Sequence, residues 1–327
     1  MTTDSITVIS ANVATSKARA ELANRKSKIS GWNQIALIAA KEFGDRFRSG
    51  WVVACIFVWL GAIALTSFFG LIQIGQIGAQ GYERTVISLL NLVQYLVPLL
   101  GLLLGHDLIV SENEERTLRL ALAGGVGRLR FLAGKFLGGC LALATPLVSG
   151  FVIAGTVVGL SAKDSGVAPF LRLAISGLVL GILFLAIGLA ISTFSRTRVQ
   201  ALVAALLAWC LVVFVFDLVA LGIMISTRAP AAAQEIEVLC DTTHINSAAD
   251  IHSDFDSATE TQSRSGQAPE NPSIGWLAAN PVDLFRAINL SGQTELDVPW
   301  PVTFAATAFW LAFPLAAGFW KLRRTDL

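Results

Sequence analysis

HDLIVSENEERTLRLALAGGVGRLRFLAGK, residues 106–135, is the only long charged passage in the chain caught between two apolar runs that could each cross a bilayer. Residues 86–105 before it and 131–160 around its end and beyond are almost unbroken hydrocarbon. A bilayer core roughly 30 Å thick takes about 20 apolar residues in a helix, so the passage connects two membrane spans. Acids come first in it (Asp107, Glu112, Glu114, Glu115) and bases follow (Arg116, Arg119, Arg128, Arg130, Lys135). Leu118, Leu120, Leu122, Leu129, Phe131 and Leu132 recur among them, so the passage is no free linker. A segment of this kind, tethered at both ends, is built to lie at the membrane and touch a soluble partner. The plainer reading is a solvated loop whose bases obey membrane topology.

Composition widens the argument to the whole chain. Of 327 residues, 54% are apolar and only 14% charged, and the mean hydropathy is +0.65. Soluble proteins carry roughly a quarter of charged residues, so the chain is expected to be an all-α integral membrane protein with the lipid bilayer as its solvent. Its net charge of +1 gives no basic excess to suggest nucleic acid. Six stretches are long and apolar enough to span: 51–72, 86–105, 131–160, 169–194, 199–225 and 301–320. Gly and Pro within them (Pro98, Pro146, Gly181, Gly188) are tolerated in membrane helices, where neighbours satisfy the freed backbone groups.

Lys and Arg placement orients the bundle. Eighteen of the 24 lie in the N-terminal segment, the loops after spans two and four, and the C-terminus. Both termini and residues 106–130 are therefore expected in the cytosol, in a bacterial inner membrane. Residues 1–30 are polar, carry no secretory leader pattern, and read as a disordered cytosolic tail. In 31–49, Trp32, Ala36, Ala39, Phe43 and Phe47 fall at steps of three and four on one helical stripe, while Lys41, Glu42, Asp45, Arg46 and Arg48 fill the other faces. That segment is expected to be an amphipathic helix lying in the interface plane, aromatic side down. Residues 226–299 form a long periplasmic loop with eleven acids against three arginines. Its 229–271 part is expected to be partly disordered, and 273–290 to form short helices lying at the outer surface against span six. Residues 321–327 make a cytosolic tail.

Catalytic signatures are absent: neither H-E-x-x-H nor G-x-S-x-G occurs. Gly134-Lys135 ends like a P-loop, but Phe136 stands where Ser or Thr is required and Leu129 where the first Gly belongs. The chain therefore binds no ATP that way, and no cofactor of its own is expected. Asp217 is the sole carboxylate inside a span, about 27 Å along the helix from residue 199 at 1.5 Å per residue. It reads as an outer gate or proton site, or as a boundary residue meeting water or an arginine such as Arg286. Asn91 and Gln94 are polar residues inside span two, expected to bond neighbouring helices or to meet cargo. Cys240, His244 and His252 share the acidic loop and have the chemistry of copper or zinc ligands, without the spacing of a metal cage.

With these residues in view, the order of features resembles the type-2 ABC exporter permeases, and among them those of NosDFY systems for nitrous oxide reductase maturation. The likeness rests on KEFGDRFRSGW at 41–51, on 107–138, on FVFDLV at 214–219, on NPVDLFRAINLSG at 280–292, and on the closing KLRRTDL. Arg116-Thr117-Leu118 stands where that family carries Gly-Thr-Leu. The resemblance implies a type V exporter-like fold of six transmembrane helices with an N-terminal elbow helix. It also implies a homodimer driven by a separate, NosF-like cytosolic ATPase that holds ATP and Mg²⁺. The coupling surface would comprise Asp107, Glu112, Glu114, Glu115, Arg116, Thr117 and Leu118, with a second contact at Arg196 and Arg198. A NosD-like periplasmic β-helical protein would dock on Asn280, Pro281, Asp283, Leu284, Phe285, Arg286 and Asn289. Such systems serve assembly of a copper site. A permease for another cargo (lipid, drug or peptide) and a proton-coupled secondary transporter using Asp217 are the alternatives.

Overall fold

A computed structural model describes residues 31–72, 79–115, 127–161, 168–216, 218–219, 280–290 and 299–324. Asp217, the segment Arg116-Thr117-Leu118, the loop with Cys240, His244 and His252, and the 1–30 tail lie outside the described residues. Everything regular among the described residues is helical. The helices are α1 (Gly31–Arg48), α2 (Trp51–Ile72), α3 (Ala79–Gly105), α4 (Val110–Glu114), α5 (Arg128–Ser161), α6 (Ala168–Phe194), α7 (Arg198–Cys210, continued by a π turn, Leu211–Val215), α8 (Pro281–Leu290) and α9 (Trp300–Arg324). Among the described residues five helical stretches are long and apolar enough to cross a membrane, or six if the bent α1–α2 pair counts as one.

α6 is the centre of the bundle. Leu173, Leu180, Phe184, Leu185 and Leu189 are buried along it, and α3, α5, α7, α8 and α9 all pack against it. In lipid, hydrocarbon gains little by leaving its surroundings, so helices associate through close packing at small residues. α3 and α6 meet in this way: a Cβ on Gly105 would fall 2.7 Å from the Leu185 carbonyl oxygen and 2.9 Å from Gly188 Cα. α9 lies outermost, with Phe304 and Phe313 turned outward.

α1 ends where Gly50 takes a φ of 76°, a left-handed conformation open to glycine. The Ser49 amide donates to Asp45 O at 2.9 Å, and the chain turns by 67° into α2. α1 is more than an interfacial helix with a polar back. Trp32 and Phe47 are exposed, but Glu42 and Arg46, expected on solvated faces, are buried against α5 and the α3–α4 turn. α5 receives α1 on Gly134 and Gly138, four residues apart. A Cβ on Gly134 would sit 2.7 Å from Ile38 Cβ, and one on Gly138 2.6 Å from Glu42 Cβ. The Gly134-Lys135 dipeptide is thus a helix-packing feature.

The helix at 281–290 packs against α9, the expected sixth span, but sits deeper than a helix lying at the outer surface, with Asp283 and residues 286–289 half-buried. Val282, Leu284 and Phe285 are almost fully buried against α3, α6 and α9, and Asn280 and Pro281 are buried with them.

Candidate coupling site

The short helix α4 follows α3 after one turn, at the end of the bundle where α6 finishes. Five residues cannot sustain a helix alone, and its N-cap, Ile109, supplies no side-chain acceptor. The acceptor comes from another helix. Ser192 Oγ of α6, itself buried, accepts from the amides of Ile109 at 2.9 Å and Val110 at 3.0 Å. Two of the orphan N–H groups of α4 are thereby satisfied, and its start is pinned to the central helix.

Five charged side chains then connect α4 to α1 and α5. Lys135 Nζ on α5 lies 2.6 Å from Glu42 Oε2 of α1 and 2.6 Å from Glu112 Oε1 of α4. Arg46 of α1 donates from Nε to Glu42 Oε1 at 3.0 Å and from Nη2 to Asp107 Oδ1 at 3.2 Å. The order is Asp107–Arg46–Glu42–Lys135–Glu112, three carboxylates on two cations. Glu42, Arg46 and Lys135 are the most buried, their side chains 9%, 7% and 7% exposed. At such burial an unpaired charge is costly, and pairing with further hydrogen bonds is what makes the cluster tenable.

The C-terminal side of α4 faces outward. Glu114 Oε1 accepts from the Arg198 amide at 2.7 Å, and its Oε2 lies 3.1 Å from Arg198 Nε. The Arg198 guanidinium also pairs with Glu115. Thr197 caps α7, its Oγ1 accepting from the Gln200 amide at 3.2 Å. The Glu114 carboxylate therefore adds negative charge at a helix N-terminus, where the helix dipole favours it. These groups are solvated: the side chains of Arg198, Glu114 and Glu115 are 44%, 33% and 60% exposed. Arg196 is exposed beside them, its amide donating to Gln200 Oε1 at 3.0 Å.

Of the residues expected on the coupling surface, then, Glu114, Glu115, Arg196 and Arg198 form one exposed charged face. Asp107 and Glu112 turn inward and tie that face to the bundle. Ser192 was not expected here, Glu42 and Arg46 were expected on solvated faces of α1, and Lys135 was expected only as one of the bases of the connection. One signal for them was present: an acid and a base four residues apart in α1, opposite a lysine flanked by two spaced glycines in α5.

A second polar group occupies the other end of the bundle, about 24 Å away by the rise from Ser192 back to Ser176 along α6. Asn280 and Pro281 open α8 as N-cap and first-turn proline, and Asn280 Oδ1 accepts from the Val282 amide at 3.0 Å. Asn280 Nδ2 donates to Asp283 Oδ2 at 3.1 Å and to the Val212 carbonyl in the π turn at 3.4 Å. Arg286 donates from Nη1 to Asp283 Oδ1 at 3.2 Å and from Nε to Gln94 Oε1 at 2.6 Å. Gln94 Nε2 in turn donates to Asn91 Oδ1 at 3.3 Å, and Asn289 donates to Ser176 Oγ at 2.9 Å. Gln94 thus joins α3 to α8, and Asn91 bonds Gln94 within α3.

The docking surface expected on α8 is accordingly corrected. Asn280, Pro281, Leu284 and Phe285 are buried, while Asp283, Arg286 and Asn289 spend hydrogen bonds inward on neighbouring helices or on α8 itself. The amphipathic pattern of 281–290 was legible, but its apolar face meets three helices instead of an outer surface. Alongside α8, an apolar cavity of about 620 Å³ lies between α6, α8 and α9, with Arg172 and Trp300 among its lining residues and Leu183 and Phe285 facing it.

Comparison with known proteins agrees with this architecture. The family model described as ABC-2 family transporter protein matches residues 36–327. The probable ABC transporter permease protein NosY of Pseudomonas aeruginosa is 31% identical over 291 residues, covering 86% of this chain and 92% of the relative. The protein of the same description from Stutzerimonas stutzeri is 29% identical over 311 residues, covering 89% and 99%.

Proposed function

The chain belongs to the ABC-2 transporter family and is a membrane permease; from that premise we propose that it works as a homodimer energised by a separate cytosolic ATPase, in a NosDFY-like complex that assembles the copper site of nitrous oxide reductase. ATP and Mg²⁺ belong to the ATPase. The observation that carries the reading is the exposed Glu114–Glu115–Arg198 face, which stands on a short helix fixed from within by buried ion pairs. A surface of this build can accept a push from a soluble subunit and hand it to packed helices, because such helices move as rigid bodies. The Lys and Arg bias supports a cytosolic position for this face and for both termini, in a bacterial inner membrane. The NosY relatives support the choice of system and, with it, a NosD-like β-helical partner on the periplasmic side. With α8 buried, that partner would meet other parts of the outer surface.

A second reading keeps the ATPase but changes the cargo. The apolar cavity between α6, α8 and α9 has the size and lining for a lipid chain or another apolar molecule. Affinity purification of the tagged chain from its native membrane separates the two readings. An ATPase together with a β-helical protein in the eluate supports the first, and an ATPase alone supports the second. Absence of any ATPase, or labelling of a cysteine at Glu115 from the periplasmic side, would overturn both.

A further inference from the structure

We propose that the buried charge chain makes α1, α4 and α5 a single mechanical unit, with Lys135 as the positioning residue that carries a displacement of α4 into α5 and α1, and that the joint that yields during turnover is the exposed contact of α4 with α7. The proposal rests on the permease reading above and adds to it the route by which work enters the bundle.

The geometry is a closed ring. From Glu42 on α1 it runs to Lys135 on α5, then to Glu112 on α4, back along the backbone into the α3–α4 turn at Asp107, and through Arg46 to Glu42 again. One ammonium holds a carboxylate from α1 and another from α4, so both helices are referenced to the same atom of α5. The Arg46 guanidinium, the second cation, closes the ring, and rotation of α4 about a single contact is blocked. Parting any of these pairs leaves charge in a region of low dielectric, a cost that grows as water is excluded. Gly134 and Gly138 let α1 backbone and Cβ atoms approach α5 closely beside these pairs.

The contact with α7 differs in kind. Arg198, Glu114 and Glu115 are half in water, and water can replace each partner as it leaves. Exposed pairs at one side of α4 and buried pairs at the other place the hinge at Thr197, where α6 gives way to α7.

The test uses the whole complex with its ATPase in nanodiscs, on a chain whose four cysteines have been replaced. Spin labels at the exposed positions Lys41 and Leu137 report on α1 against α5, and labels at Lys41 and Val199 report on α1 against α7. Between the nucleotide-free and vanadate-trapped states, the first distance stays constant and the second shifts. A change in the Lys41–Leu137 distance on trapping would overturn the proposal without any alteration to the charge chain. A Glu42→Gln, Lys135→Gln pair removes one charge of each sign and leaves the net charge of the chain as it was. In that variant the ATPase still co-purifies and hydrolyses ATP within about twofold of the parent rate, while the nucleotide-driven shift at Lys41–Val199 is lost and maturation of the reductase falls by about tenfold or more. Lys135→Arg restores both. A shift and a maturation yield retained in the double variant would remove Lys135 from the route. Failure of the unaltered chain to bind any ATPase would instead overturn the permease reading.

Discussion

Lys135 Nζ and Glu42 Oε2 lie 2.6 Å apart, on helices 93 residues apart in the chain, and both side chains are more than nine-tenths buried. This pair joins the helix that precedes the first long apolar helix to the one that follows the charged connection. Its burial makes it the most consequential electrostatic contact at this end of the bundle, and its loss should be measurable.

Lys135→Met leaves Glu42 and Glu112 facing each other with Arg46 as the one cation of the chain. The expected cost is about 3–5 kcal/mol, the range for breaking a buried ion pair from one side. Glu42→Gln combined with Lys135→Met should cost clearly less than the two single changes added together, because the double change leaves only the Glu112 carboxylate without Lys135 and no longer strands that of Glu42. Denaturation in mixed micelles, run as a double-mutant cycle, measures both. Additive costs would mean that the two side chains do not interact.

Ser192→Ala takes the acceptor from two amides at once. An unsatisfied buried donor costs about 1–3 kcal/mol, and here the loss falls on the first turn of a five-residue helix. Hydrogen exchange at Ile109 and Val110 should accelerate while the interior of α6 stays protected. Unchanged protection at those two amides would show that α4 is held by its ion pairs alone.

Gly138→Leu should expel α1 from α5, since even its Cβ would stand 2.6 Å from Glu42 Cβ and 2.8 Å from the Ala39 carbonyl oxygen. Gly127→Ala is the matched control, with nothing within 4 Å of the added atom. Limited proteolysis around residues 41–50 reads the difference. The leucine variant is cut faster, and the alanine variant behaves as the parent.

Glu114→Lys with Glu115→Lys turns the exposed face cationic and sets two ammonium groups against Arg198. Membrane insertion should persist, because no span is altered, and ATPase co-purification should be lost. Adding Arg198→Glu rebuilds the pairs between α4 and α7 with their signs exchanged. The ATPase should still fail to bind if its own surface reads the carboxylates. Full co-purification with the double variant would remove this face from the coupling role.

Much of the fold was legible before any coordinates. The apolar run at 51–72 coincides with the helix α2 (Trp51–Ile72), and the expected span at 169–194 differs from α6 (Ala168–Phe194) by one residue. The reason is that a bilayer imposes its thickness on each segment separately, so the length of an apolar run decides a helix without reference to its neighbours. The prominence of the 106–115 passage was legible for the same reason: charge between two spans has nowhere to go but the membrane surface.

Only the tertiary structure decided which charges remained there. Glu112 and Glu114 are two residues apart on one helical turn, yet one faces Lys135 inside and the other Arg198 outside. Glu42 and Arg46 look like the solvated back of an amphipathic helix until α5 is laid against them. α8 likewise announces an apolar face, while two of the three helices that cover it, α3 and α6, are distant in the chain. Hydrophobic runs are a property of neighbours in sequence, whereas ion pairing and burial are properties of neighbours in space. This chain alone fixes where it enters and leaves the lipid, and packing selects which of its few charges hold the bundle together and which are left to meet a partner.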